Sequence, residues 1–96
     1  MKHIHLFPLV GEFAENKDIA RDIRLQQIIP ALEQKETIII DFEQVDGATQ
    51  SFVHALISDL FRIYGSDILD VVQFKSCNET VKGIISIVVD YMQEAQ

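Results

Sequence analysis

Thr37-Ile-Ile-Ile-Asp-Phe-Glu-Gln-Val-Asp-Gly-Ala-Thr-Gln-Ser-Phe52 decides how this chain folds. Thr37 to Phe42 reads as a strand, and its three successive isoleucines are apolar on both faces, the pattern of a central strand. Glu43 to Gln50 is a polar turn. Ser51 to Tyr64 reads as a helix, with Phe52, Val53, Leu56, Ile57, Leu60, Phe61 and Tyr64 on one broad stripe. A turn of this kind sets hydroxyls and free backbone N–H groups at a positive helix end, where a phosphate is held or a switch presented to a partner. With no base nearby it is a poor place to run chemistry. The segment therefore points to a binding or regulatory module, and no enzyme is expected.

Working outward, His3 to Phe7 alternates as a strand, with Ile4 and Leu6 against His3, His5 and Phe7. Pro8 to Asn16 is expected as a loop. Asn16 caps a helix from Lys17 to about Gln34, which Pro30 should kink, or break by starting a second short turn. Gly65 is a natural stop for the helix that begins at Ser51. Val71 to Lys75 alternates as a third strand. Ser76-Cys-Asn-Glu79 fits a capping box for a final helix from about Glu79 to Gln93, with Val81, Ile84, Ile85, Val88 and Met92 on one face. Its β-branched residues leave a strand as the rival reading.

The predicted fold is thus a small α/β domain over residues 1–96, in the order βαβαβα. Its three-stranded, largely parallel sheet has Thr37 to Phe42 in the centre and helices mainly on one face. The other face would carry His3, His5, Ile39, Asp41, Gln73 and Lys75, too polar for a core. It is either solvated or paired with another chain.

The net charge of −7 and a pI near 4.7 disfavour nucleic acid and anionic membrane surfaces. The longest apolar run, Ile84 to Val89 interrupted by Ser86, is far short of the roughly 20 residues that span a bilayer. No signal peptide is visible, and Cys77 stands alone, so a cytoplasmic location is expected.

Phe13-Ala-Glu-Asn-Lys-Asp18, Ala20-Arg21, Ile29-Pro30-Ala31-Leu32, Ile40-Asp41-Phe42-Glu43-x-Val45 and Thr49-x-Ser51-Phe52 together resemble the bacterial STAS-like domain family of unknown function. The likeness runs from Gly11 to about Tyr91. More distantly the chain is similar to the STAS domains of anti-sigma-factor antagonists. These carry an apolar strand, a loop ending in an Asp-Ser-Ser-Gly-like motif, and a helix. A kinase-type anti-sigma factor phosphorylates the second serine and so decides whether the two proteins bind. In this chain that serine falls on Ser51, while Thr49 stands for the Asp and Phe52 for the Gly. The resemblance implies a regulatory protein-interaction module with a protein partner, a histidine-kinase-type ATPase or anti-sigma-like regulator, and a phosphoacceptor at Ser51 or Thr49.

The residues themselves leave two readings of that hydroxyl pair. One is a phosphorylation switch. The other is a helix cap worth about 1 kcal/mol. The partner- or ligand-binding turn comprises Asp41, Glu43, Asp46, Gly47, Gln50 and His54. The alternative to partner binding is a small-ligand or nucleotide-sensing domain built on the same turn.

No cofactor and no metal are expected. Asp41, Glu43 and Asp46 supply too few oxygens for a hard cation. His3 and His5 are two ligands where zinc needs more, and read as an exposed edge strand. Glu43 and Asp46 read as solvated, Asp46-Gly47 as turn chemistry, and Asp41 as an acceptor for the turn's own N–H groups. His54, three residues after Ser51, could reach its hydroxyl and is expected to face solvent. Cys77 reads as a packed or half-exposed thiol. An open sheet edge makes a homodimer a further expectation.

Overall fold

The computed structural model describes residues 1–94. Strands β1 (Lys2–His5), β3 (Ile38–Asp41) and β5 (Val72–Lys75) form a parallel sheet in the order β1-β3-β5, so the triple-isoleucine strand is central. Alternation puts Ile4, Ile38, Ile40 and Val72 on one buried face, joined by the partly buried Phe74. His3, His5, Ile39, Asp41, Gln73 and Lys75 share the other face, as expected, and among the described residues the helices pack on the first. α4 (Gln50–Tyr64) packs between α2 (Lys17–Ile23) and α5 (Glu79–Glu94). Phe52, Val53, Leu56, Ile57, Leu60 and Phe61 of α4 are buried, whereas Tyr64, expected on the same stripe, is exposed.

Several boundaries differ from the sequence reading. β1 ends at His5, because Pro8 supports a one-turn helix, α1 (Phe7–Val10), that closes on Gly11 with a positive φ of 75°. Asn16 caps α2 as expected, its Oδ1 accepting from the N–H groups of Asp18 (2.9 Å) and Ile19 (3.2 Å). At Pro30 the helix starts a second short segment, one of the two expected outcomes. It widens beforehand into a π turn over Arg24–Ile28, with the Ile29 N–H bonded five residues back to Arg24, and Pro30 enters the first turn of α3 (Ile29–Glu33). From that turn the Arg24 guanidinium reaches the Ala55 carbonyl (2.6 Å) and Asp59 (3.3 Å), tying α2 to α4.

Gly65 stops α4 with φ 69°, and a 3₁₀ stretch (Gly65–Asp70) leads into β5. The last segment is a helix, not the rival strand. Its cap is Asn78, whose Oδ1 accepts from the Val81 N–H at 2.8 Å, and not Ser76, which sits at φ 58°. The expected capping box therefore does not form.

A second, smaller sheet escaped the sequence reading. β2 (Phe13–Ala14) pairs in parallel with β4 (Gly47–Ala48). Two residues each are too few to show a period. The pair is reinforced by the Asp46 N–H to the Glu12 carbonyl (2.7 Å) and the Thr49 N–H to the Ala14 carbonyl (2.9 Å). β2 runs into the cap of α2 and β4 into the cap of α4, so the two helices start side by side.

Candidate functional site

Thr49 is the cap of α4. Its Oγ1 accepts from the Phe52 N–H at 3.0 Å, satisfying one of the donors that a helix start leaves open. Ser51 is exposed, two residues into the first turn, and the structure gives its hydroxyl no hydrogen bond among the described residues. The hydroxyl pair is thus divided: one is used structurally and the other is free.

Ser51 stands on the lip of an open groove of about 540 Å³ between the starts of α2 and α4 and the flank of α5. Gln50, Ser51, His54 and Lys17 form its polar rim, and Ala55, Ile87, Val88 and Tyr91 its apolar floor and wall. Ile87 is 51% exposed and Tyr91 62%, so apolar surface lies open beside the polar rim. Lys17 comes to Ser51 through the β2–β4 pair, which sets the start of α2 beside that of α4. The His54 ring lies against Tyr91, centroids 6.5 Å apart, with no hydrogen bond to Ser51.

The other expected site residues separate from this groove. Glu43 and Asp46 are exposed in the β3–β4 loop. The Asp46 backbone is fully engaged, its carbonyl accepting from Asn78 Nδ2 at 2.8 Å. Gly47 is not a turn residue. It is buried in β4, and a Cβ there would come within 2.9 Å of the Phe13 ring, so any larger residue must push that ring aside. The left-handed residue of the loop is Gln44, at φ 71°.

Asp41 faces the open side of the sheet, and its side chain is only 2% exposed. Its Oδ1 accepts from the Glu43 N–H at 2.9 Å, as expected of it. Its Oδ2 lies 2.8 Å from His3 Nε2 and 3.6 Å from His5 Nδ1, and the two imidazoles stack at 4.2 Å. Burial pushes the Asp41 carboxyl up, but the Glu43 N–H, the His3 hydrogen bond and the charges of both histidines together hold it below the ordinary range. The sequence reading placed His3, His5 and Asp41 on one sheet face but weighed the histidines as ligands without Asp41, because only strand register brings the three into contact.

A family model for the STAS-like domain of unknown function (DUF4325) matches residues 20–82, about two thirds of the chain. The chain belongs to that family. The match takes in β3, α4 and β5, and with them Asp41, Thr49 and Ser51. It leaves out β1, and so His3 and His5. The three-stranded parallel sheet with its helices agrees with a STAS-like fold. No curated protein and no solved structure matches the chain. In this STAS-like domain Cys77 is half-buried, its Sγ 3.8 Å from the Lys75 carbonyl, and burial pushes the thiol above its ordinary range against a smaller pull from Lys82. Among the described residues no helix is long and apolar enough to cross a membrane.

Proposed function

We propose that this STAS-like domain is a non-enzymatic regulatory module of a cytoplasmic bacterial pair, binding a protein partner through the groove at the start of α4, with Ser51 as the switch. The partner class is a histidine-kinase-type ATPase or anti-sigma-like regulator. One observation carries the reading: Thr49 does the capping, which leaves Ser51 exposed and unbonded beside an apolar groove. A phosphate at Ser51 would add a charge of about −1.5 to −2 at the positive end of a 15-residue helix, with Lys17 on the same rim. The same charge on the lip would oppose desolvation of Ile87, Val88 and Tyr91 by a partner. The modification would thus be tolerated by the fold and disruptive to the interface.

The groove's volume supports a second reading, a small-ligand sensor, since it falls in the range of ligand sites. Its open shape favours a partner's surface over an enclosed ligand. Phosphopeptide mapping of the protein isolated from its own cells tests the switch. Phosphate on Ser51 is expected. A phosphate confined to other residues, or none under any growth condition, would refute it. A thermal shift with one member of a nucleotide panel would instead favour the sensor.

A further inference from the structure

The open face of the sheet holds a second constellation, independent of the groove. Parallel register sets His5 opposite Asp41 and His3 opposite Ile39. The two-residue period of β1 then turns both imidazoles to the side that carries the Asp41 carboxylate. One ligand atom from each of the three residues lies within 4.8 Å of the other two. Two of these separations, 2.8 and 3.6 Å, bracket the spacing of about 3–3.5 Å between ligand atoms around an ion with bonds of roughly 2.0–2.2 Å.

We propose that His3, His5 and Asp41 form a binding site for a divalent transition-metal ion of the zinc class, with three protein ligands and water completing the coordination. Two imidazoles and one carboxylate suit zinc, nickel or cobalt, whereas calcium and magnesium call for oxygen donors throughout. Asp41 is already oriented: its Oδ1 is held by the Glu43 N–H, and its Oδ2 faces the histidines. The stacked rings, 15° from parallel, direct their nitrogen lone pairs along separate lines. Binding therefore requires a rotation of the imidazoles. Their exposure, 36% for His3 and 60% for His5, leaves room for it. Lys75 pairs in register with Asp41 from β5, and its exposed, flexible stem lets the ammonium stay in water. The remaining coordination positions open to solvent, where water or a donor from another molecule can enter.

The competing account is a hydrogen-bonded His–Asp cluster with no affinity for metal. The full chain without a polyhistidine tag, stripped with a chelator, is titrated with zinc chloride by calorimetry and followed by NMR of its histidine rings. One ion per chain is expected, with the His3 and His5 ring signals moving together and that of His54 unmoved. His5→Gln changes an exposed side chain and should keep the fold, as circular dichroism will check. It and Asp41→Asn should each weaken binding at least about tenfold. His54→Gln and Cys77→Ser should leave it unchanged. No saturable binding, or binding that survives both His5→Gln and Asp41→Asn, would overturn the site.

Discussion

The groove beside α4 and the open face of the sheet assemble their side chains by different routes. Gln50, Ser51 and His54 come from one continuous segment, so a strand–turn–helix pattern was enough to single them out. His3, His5 and Asp41 are brought together by register between two strands far apart in sequence. The α4 side of the first site follows from local pattern, while its Lys17 and α5 side, and the whole of the second site, depend on tertiary alignment. The covered and open sheet faces differ in the same sense: one is fixed by burial, and the other is free to carry polar groups.

The sharpest way to break that contrast is to place the same charge on each face of β3. Ile40 is fully buried and Ile39 only partly, on the open side. Ile40→Asp should unfold the domain, because an unpaired buried charge costs several kcal/mol. Ile39→Asp should cost no more than about 1–2 kcal/mol, in the ordinary range for a substitution outside the core. Urea melts of the two variants check this, and equal destabilisation would mean the open face is covered.

The contact between β2 and β4 comes next. Gly47→Ala forces the Phe13 ring aside and should cost about 1–3 kcal/mol, as overpacking does. In a Phe13→Ala background most of that penalty should vanish, because the clash is with that ring alone. A double-mutant cycle measured by denaturation will detect the coupling, and additive effects would contradict the packing described.

The division of labour between the two hydroxyls predicts a smaller difference. Thr49→Ala should lose about 1 kcal/mol with the cap. Ser51→Ala should stay within about 0.5 kcal/mol of the parent. Melting curves at neutral pH compare them, and a cap-sized loss at Ser51 would assign it a structural role. The smallest effect is kinetic. Because burial raises the Cys77 pKa, less thiolate is present near pH 8 than for an unhindered cysteine, so iodoacetamide should alkylate it more slowly in the folded protein than in urea. Equal rates would mean that the thiol is fully open.

Much of this molecule was legible in its sequence, and the limits have identifiable causes. The triple isoleucine located the central strand, and alternation along β1 and β5 assigned the residues of the open face correctly. Asn16 and Gly65 marked the helix ends they were expected to mark. What was missed depended on partners distant in sequence or on features too short to show a period. β2 and β4 have two residues each. Ser76 and Asn78 both suit a cap, and only the left-handed φ at Ser76 decides between them. Gly47 sits beside Asp46 in a dipeptide that resembles a turn, yet its role is set by the Phe13 ring. At the candidate switch, sequence named both Thr49 and Ser51 but could not assign the cap, since either hydroxyl can reach a free N–H at a helix start.

The central claim is that Ser51 controls a partner surface while Thr49 supports the fold. Its most direct test is the affinity of the proposed kinase-type ATPase partner for wild type, Ser51→Ala and Ser51→Asp, measured beside their melting temperatures. The account predicts that Ser51→Ala binds like the unmodified protein. Ser51→Asp should bind at least about tenfold more weakly, a loss of roughly 1.4 kcal/mol, with a melting temperature unchanged or slightly raised by a carboxylate in the first turn of α4. Equal affinities across the three, or a loss of binding that tracks a loss of stability, would contradict it.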